Sequence, residues 1–288
     1  MKCLYYPGCS QKASSISYDR SFLAIAKKLG IEVIELEDWN CCGTTVTISV
    51  NEILSLTLSA RNLAIAEAAN LPLVAPCPSC YISLNKANKQ FKEKSLLSEK
   101  ANASLNKGGL NYSGNTEVYN ILDFLVNKVG VDKIKEKVVT PLSGYKIAPY
   151  YGCQIVNPYA TGDDSNDPQN IEKIITALGA TAVDFSYKTV CCGGSLMFTK
   201  KQHAERMCNE ILKSIIDAGA DIITTPCGLC QINLETAQGK SAEYLGGKIS
   251  MPVLNITQLI GIALGIDQSS LMTNIKKINK NISTGIMN

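Results

Sequence analysis

Two sets of cysteines with matching spacing are the most restrictive feature of this sequence. Ten of the 12 cysteines belong to these sets. The first set is Cys9, Cys41, Cys42, Cys77 and Cys80, and the second is Cys153, Cys191, Cys192, Cys227 and Cys230. Each set has a lone cysteine, an adjacent pair followed by glycine, and a Cys-x-x-Cys preceded by proline. The last four cysteines of the two sets differ by a constant 150 residues, which indicates an internal repeat.

The residues around the cysteines repeat as well. The segments "YYPGCS", "VAPCPSCYISL" and "VYNILDFL" correspond to "YYGCQI", "TTPCGLCQINL" and "VLNITQLI". The lone cysteine is separated from the adjacent pair by 31 residues in the first set and by 37 in the second. The difference fits an insertion in "NPYATGDDSNDPQN", which is rich in turn-forming residues. We therefore predict a duplicated domain, with one repeat at residues 1–143 and the other at 144–288.

Helical and strand patterns alternate in the same order in both halves. In the first half the helical periodicity of "SYDRSFLAIAKKLG" precedes the strand-like "IEVIELE", and the short apolar run "LPLVAP" leads into Cys77. This alternation favours an α/β fold in which each half is a small parallel sheet flanked by helices. Because the cysteines follow predicted strands, we expect each set at the carboxyl edge of its sheet, where such folds bind ligands.

The composition favours a globular cytoplasmic protein. Hydrophobic residues make up 45% of the chain and charged residues 18%, and the net charge of +3 gives no argument for nucleic-acid binding. No run approaches the ~20 apolar residues of a membrane-spanning helix, and the N-terminus lacks the features of a signal peptide. In a reducing cytoplasm, clustered cysteines more often bind metal or carry out redox chemistry than form disulfides.

Five cysteines per repeat are one more than a zinc ion or a cubane iron–sulfur cluster requires. Adjacent side chains of an extended backbone point to opposite sides, so Cys41 and Cys42 suit two metal atoms, or a thiolate bridge, better than one tetrahedral ion. Gly43 and Gly193 are expected to let the backbone turn sharply and approach a bulky metal group. Iron–sulfur clusters in both repeats are the favoured interpretation. Zinc sites with a spare cysteine and structural disulfides are the alternatives.

A few residues outside the two sets are candidates for other roles. Cys3 and Cys208 suit small buried hydrophobic positions. His203, the only histidine, is either a surface or capping residue or a proton donor beside the second set. The basic residues that form a solvated surface or hold an anionic substrate group are Lys12, Arg61, Lys200, Lys201 and Arg206. The sequence has no ferredoxin-type cysteine run and no dinucleotide fingerprint, so its electrons must come from another subunit or a soluble carrier.

The doubled motif of a lone cysteine, a Cys-Cys-Gly and a Pro-Cys-x-x-Cys resembles the cysteine-rich CCG domain family. Within it, a chain with two complete motifs and no fused ferredoxin domain is similar to the B subunits of archaeal heterodisulfide reductases. The resemblance implies that the ten cysteines ligate two noncubane [4Fe-4S] clusters, five to each. The family often has His-x-x-Glu in the segment where this chain has Asn120 and Asn255, so no role of that histidine is carried over.

The same resemblance implies an enzymatic function. The substrate would be the mixed disulfide of coenzyme M and coenzyme B, reduced to two thiols in methanogenesis, with each cluster binding one sulfur and supplying one electron. The implied partners are the C and A subunits of heterodisulfide reductase, and a hydrogenase or formate dehydrogenase in the larger complex. The alternative within the family is an iron–sulfur electron-transfer subunit for lactate, glycolate or succinate oxidation. A zinc-stabilised assembly scaffold is the non-catalytic alternative.

Overall fold

Two four-stranded parallel sheets, one from each half of the chain, form the framework of this computed structural model, which describes residues 1–44, 46–158 and 163–273. The strands are β1 (Lys2–Tyr5), β2 (Glu32–Glu35), β3 (Leu73–Val74), β4 (Val118–Tyr119), β5 (Lys146–Pro149), β6 (Thr181–Ala182), β7 (Ile222–Thr225) and β8 (Val253–Asn255). The strand order is β2-β1-β3-β4 in the first sheet and β6-β5-β7-β8 in the second. The predicted α/β fold, with a duplicated parallel sheet, is confirmed.

Helices cover the connections between the strands. In the first half they are α1 (Gly8–Gln11), α2 (Ile16–Lys28), α3 (Val46–Val50), α4 (Glu52–Ala69), α5 (Pro78–Lys92), α6 (Leu96–Lys107), α7 (Ile121–Asp123) and α8 (Val131–Glu136), with a π-helical segment at Phe124–Gly130. In the second half they are α9 (Asn170–Ala177), α10 (Lys201–Asp217), α11 (Gly228–Gln238), α12 (Ser241–Leu245) and α13 (Ile256–Ala263), with a 3₁₀ turn at Gly194–Leu196. Among the helices in the described residues, none is both long enough and apolar enough to cross a bilayer.

Local sequence signals start the helices next to the cysteines. The Asn51 side chain accepts a hydrogen bond from the backbone N–H of Leu54 at 3.0 Å and caps α4. Pro78 occupies the first position of α5, where its missing N–H would have no intrahelical partner. Helix α5 therefore begins directly after Cys77 and carries Cys80 in its first turn.

One hydrophobic core extends across both halves. Helix α2 packs against α13, so Phe22 and Ile25 of the first half share this core with Leu259 and Ile260 of the second. Helix α9 likewise packs against α7 and α8, which follow β4. Burial of these apolar side chains holds the two sheets together. The repeat boundary proposed between residues 143 and 144 falls between α8 and β5 and stays a prediction.

Candidate metal centres

The cysteines of each half lie where strands end. In the first half, Cys9 follows β1, the adjacent pair follows β2, and Cys77 follows β3. Strand β1 lies between β2 and β3, so the connections from β1 and β3 leave the sheet at the point where the strand order reverses. Open α/β sheets form their ligand crevices at such a point. The second half repeats this arrangement, with Cys153 after β5 and Cys227 after β7.

The thiols of the first set, here called the first cysteine site, are close enough to shift one another's pKa. The Sγ atoms of Cys42 and Cys80 are 3.4 Å apart. Hydrogen bonding with Cys80 lowers the pKa of Cys77 to about 6 and also lowers the pKa of Cys42. The same two bonds raise the pKa of Cys80 well above its usual value. Burial first, and then the neighbouring thiols led by Cys41, raise the pKa of Cys9.

The second set, here called the second cysteine site, has the same organisation. The Sγ atoms of Cys192 and Cys230 are 3.5 Å apart, and the hydrogen bond with Cys230 lowers the pKa of Cys192 to about 6. Hydrogen bonds with Cys192 and Cys227 raise the pKa of Cys230 well above its usual value. Burial and then the charge of Cys191 raise the pKa of Cys153 to about 12. The fold therefore gathers all five predicted ligands in each half.

Each site has a buried side and a side open to solvent. In the first site Cys42 and Cys80 are buried, whereas Cys9 and Cys41 are exposed. In the second site the lone cysteine and the first member of the adjacent pair are half-buried, and the other three cysteines are buried. The two members of each adjacent pair thus meet different surroundings.

Thiols are the ligands that iron–sulfur clusters and zinc prefer, and five of them exceed the four of one tetrahedral ion. The donor set therefore fits a group with several irons. Within the described residues, no group of three or more His, Cys, Asp or Glu side chains is arranged to hold a single metal ion. The fit to a multi-iron group depends on thiol chemistry and on the close spacing of the sulfurs.

Glycines before the lone cysteines bring the backbone against the sulfurs, a feature that was not predicted from the sequence. Gly8 has φ +63°, and a Cβ added there would lie 3.0 Å from the Sγ of Cys80. Gly152 has φ +68°, and its Cβ would lie 3.1 Å from the Sγ of Cys230. Glycine adopts this backbone conformation without strain, and because it lacks a Cβ it lets the sulfur lie this close to the backbone. The Gly-Cys pair in both repeats is the signal that could have identified them.

The glycines after the adjacent pairs make their close approach to helices. Gly43 has φ +74°, in keeping with the predicted sharp turn, and its added Cβ would lie 3.1 Å from the Cα of Ser55 in α4. An added Cβ on Gly193 would lie 3.1 Å from the Cα of Ala204 in α10. The expectation that these glycines let the backbone approach a metal group stays a prediction. They let each turn pack against the following helix.

Buried side chains hold the adjacent cysteine pairs in place. The Tyr6 hydroxyl donates to the carbonyl of Asn40, just before Cys41, at 2.8 Å. The Tyr150 hydroxyl donates to the carbonyl of Val190, just before Cys191, at 2.6 Å. Neither tyrosine was among the predicted site residues, although the repeated "YY" before each lone cysteine marks their positions.

The two cysteines outside the sets are buried, as predicted. Burial raises the pKa of Cys3 to about 11, so its thiol stays protonated at neutral pH. Cys208 has a further role, because its thiol donates to the carbonyl of Cys192 at 3.2 Å. Asn233 donates to the same carbonyl at 2.6 Å. Cys208 therefore supports the second cysteine site in addition to filling space.

The basic candidates lie at the surface, and most of them pair with acidic residues of this chain. Lys12 contacts Glu35 at 2.8 Å, and Lys201 and Arg206 form ion pairs along α10. Arg61 pairs with Asp38 and donates to Asn40, so it holds the loop before Cys41. Lys200 and His203 lie exposed at the start of α10. A role for these six residues toward a substrate stays a prediction; they are Lys12, Arg61, Lys200, Lys201, His203 and Arg206.

The asparagines in place of the family's histidine cap helices. Asn120 accepts from the backbone N–H of Asp123 at 2.9 Å and begins α7. Asn255 accepts from the backbone N–H of Gln258 at 2.9 Å, and the Gln258 side chain accepts from the Asn255 N–H in return. Both asparagines are fully buried. Their position is explained by helix capping at the carboxyl end of the last strand of each sheet.

Replacing Asn255 by alanine is expected to lower the free energy of unfolding by about 2 kcal/mol, since it removes a helix cap and leaves buried donors without a partner. The matched control is Asn51→Ala, which removes the exposed cap of α4 and is expected to cost about 1 kcal/mol. Urea denaturation measures both. Equal losses would contradict the added contribution from burial.

The two cysteine sites lie on either side of the contact between the halves, here called the seam. The Ser79 hydroxyl, between Cys77 and Cys80, donates to the Gln154 side chain at 2.7 Å. On the other side, a Cβ added to Gly228 would lie 2.3 Å from the Oγ of Ser15. Each Cys-x-x-Cys turn therefore touches the segment that follows the lone cysteine of the other half. This arrangement between the halves could not be predicted from cysteine spacing.

A cavity of about 490 Å³ opens beside the seam. Its lining includes Ser15 and Gly228 at the seam, the amide side chains of Gln231 and Gln258, and the carboxyl group of Glu235. Burial raises the pKa of Glu235. None of the described residues that line this cavity is a lysine or an arginine, so the basic candidates lie elsewhere.

Known proteins resemble this chain over most of its length. The family described as "CCG: Cysteine-rich domain" matches residues 3–85 and 147–235. The 8-methylmenaquinol:fumarate reductase membrane anchor subunit of Wolinella succinogenes is 35% identical over 272 residues, which are 94% of each chain. The B subunit of the ferredoxin:CoB-CoM heterodisulfide reductase of Methanosarcina mazei is 30% identical over 92% of this chain and 87% of its own.

A solved structure of a hypothetical protein from Helicobacter pylori has the same fold, with a TM-score of 0.74 at 17% identity. The alignment covers 94% of this chain and 50% of that one. All ten cysteines of the two sites lie within the two segments that match the family. With its doubled cysteine motif and paired parallel sheets, this chain belongs to the cysteine-rich CCG domain family.

Proposed function

We propose that this chain is the iron–sulfur subunit that reduces the mixed disulfide of coenzyme M and coenzyme B in methanogenesis. The observation that carries the proposal is the pair of matching five-thiol sites on either side of the seam. Splitting a disulfide into two thiols consumes two electrons and two protons. Two one-electron centres on opposite sides of one bond suit that requirement.

The ten cysteines of the two sites would hold two noncubane [4Fe-4S] clusters, five cysteines to each. When bound, each cluster would supply one of the two electrons. The residues of this chain would shape the surroundings: Gly8 and Gly152 admit the sulfurs closely, while Tyr6 and Tyr150 hold the adjacent cysteines. The proposed electron donors are the C and A subunits of heterodisulfide reductase, linked to a hydrogenase or formate dehydrogenase, in the cytoplasm.

The cavity beside the seam is the proposed approach for the substrate. It reaches the seam at Ser15 and Gly228, where segments of both halves meet. Hydroxyl and amide groups on its wall, beside the one carboxyl group of Glu235 among the described lining residues, suit an uncharged polar chain better than an anionic one. The anionic ends of the substrate would have to contact basic residues outside this cavity, and Lys200 is the exposed candidate nearest in sequence to the second site.

A second candidate function has its own supporting observation. A relative that matches 94% of both chains is named as a subunit of a fumarate reductase. Under this alternative the two sites pass electrons between a quinol and a partner that converts a dicarboxylate. The same ten cysteines would hold the clusters in either case.

Anaerobic purification followed by metal analysis and electron paramagnetic resonance tests the proposal. We expect about eight irons per chain, from two four-iron clusters, and a new paramagnetic signal when coenzyme M thiol is added to the oxidised protein. The assembled complex should reduce the coenzyme M–coenzyme B disulfide. Iron without a response to the thiol, together with fumarate reduction by the complex, would favour the second candidate. Zinc without iron would contradict both and support a scaffold.

A further inference from the structure

Tyr18 lies between the two cysteine sites. It belongs to α2 of the first half and is 1% exposed. Its hydroxyl crosses the seam and donates to the carbonyl of Pro226 at 3.0 Å. Pro226 directly precedes Cys227 of the second site. A side chain of the first half is therefore bonded to the backbone that presents a predicted ligand in the other half.

The backbone around that ligand is packed against Tyr18 and its neighbour. A Cβ added to Gly228 would lie 3.8 Å from a ring carbon of Tyr18 and would collide with Ser15. The backbone of the second Cys-x-x-Cys turn therefore packs directly against the first half, because Gly228 has no side chain to hold it away.

The surroundings of the phenol involve both sites. Burial, and then the charges of Cys227 and Cys77, raise the pKa of Tyr18 well above its usual value. These two cysteines belong to different halves, so the ring has thiols of both sites near it. The hydroxyl remains protonated and keeps its hydrogen bond to Pro226.

We propose that Tyr18 is a positioning residue that holds the second cysteine site in a set place opposite the first. The inference rests on the proposed function to the extent that both sites hold iron–sulfur clusters. Hydrogen bonds and solvent access around the ligating sulfurs tune the reduction potential of such a cluster. Tyr18 acts on Cys227 through the backbone, because its hydroxyl bonds the carbonyl that precedes this cysteine and its ring packs beside Gly228, which follows it.

A reciprocal contact acts on the first site. Gln154, directly after Cys153, accepts the hydrogen bond from Ser79, directly before Cys80. This bond joins residues adjacent in sequence to predicted ligands of both sites. Gln154 is exposed, so its replacement is expected to leave the fold intact.

Redox titration of Tyr18→Phe, followed by electron paramagnetic resonance, tests the proposal. It is measured in a background whose first site is emptied by Cys42→Ala and Cys80→Ala, so that only the second site titrates. We expect iron in the second site to be retained. We expect the ratio of oxidised to reduced cluster at a given potential to change about tenfold. For one electron this corresponds to a shift of about 59 mV in the reduction potential of the second cluster.

The matched control is Tyr112→Phe in the same background. Tyr112 is also 1% exposed, and its hydroxyl donates to Asn88 at 2.9 Å within the first half. The Tyr112→Phe variant should lower the unfolding temperature without changing the reduction potential of the second site. A potential that stays unchanged in Tyr18→Phe, with an unfolding temperature lowered as in the control, would overturn the positioning role.

A second variant covers the case in which Tyr18→Phe does not fold. Gln154→Leu, with both sites intact, is expected to retain its iron and to shift the potential of the first site. If it leaves both potentials unchanged, the proposed link across the seam is contradicted. Absence of iron from the unaltered protein would instead overturn the proposed function itself, together with this inference.

Discussion

Replacing both Cys42 and Cys80 by alanine is expected to empty the first cysteine site and to leave the protein with about half of its iron. The two Sγ atoms are 3.4 Å apart on the buried side of the site, so their removal takes away the inner ligands. Both cysteines belong to the core of the first half, whereas the core shared by the two halves does not include them. Iron per chain after anaerobic purification is the measurement, with circular dichroism to verify folding.

The control for this change is Cys3→Ala. Cys3 is fully buried in β1 and lies outside both sites, so its replacement removes one buried thiol from the core without touching either site. We expect this variant to keep all of its iron. Full retention of iron in the double variant would contradict the assignment of the first site.

Replacing Gly8 by alanine is expected to displace the first cluster although no ligand is removed. The added Cβ would lie 3.0 Å from the Sγ of Cys80 at a backbone φ of +63°, and Cys80 would have to move. We expect iron per chain to fall by about half, as in the double cysteine variant. The same analysis of Gly152→Ala should show the corresponding loss from the second site.

Gly30→Ala separates the steric effect from backbone strain. Gly30 has φ +69° and nothing within 4 Å of an added Cβ. Both alanine variants therefore incur a left-handed backbone cost of about 1–2 kcal/mol, but only Gly8→Ala meets a sulfur. Gly219→Ala, at φ +72° with open space around it, is the equivalent control for Gly152. Iron contents that match between each variant and its control would contradict the close-approach argument.

Much of the fold could be predicted because its signals are local in the chain. The periodicity of "SYDRSFLAIAKKLG" predicted the helix that became α2, and the apolar runs before the cysteines predicted strands of parallel sheets. The grouping of cysteines at the carboxyl edge followed from strand–helix alternation. The roles of Asn120 and Asn255 as caps were not predicted, because capping depends on the local backbone conformation at the end of each strand.

The residues around the cysteines were harder to predict than the cysteines themselves. Thiol spacing repeats visibly along the chain, whereas a glycine against a sulfur depends on where α5 places Cys80 relative to the end of β1. The basic candidates show the same limit. Charge alone suggested an anion contact for Arg61, which stays a prediction, but it could not show that folding brings Asp38 and Asn40 to this side chain and makes it a support for the loop before Cys41.

Sequence alone determined the duplication, the two sets of five cysteines and the α/β order of each half. These follow from periodicity and from spacing, which are properties of short stretches and of their repetition. Tertiary structure decided that the two sites meet at one seam and that Tyr18 forms a hydrogen bond across it. The contacts responsible join residues 75 positions apart in the Ser79–Gln154 pair and 208 apart in the Tyr18–Pro226 pair. Such contacts arise only when apolar burial between α2 and α13 brings the two halves together.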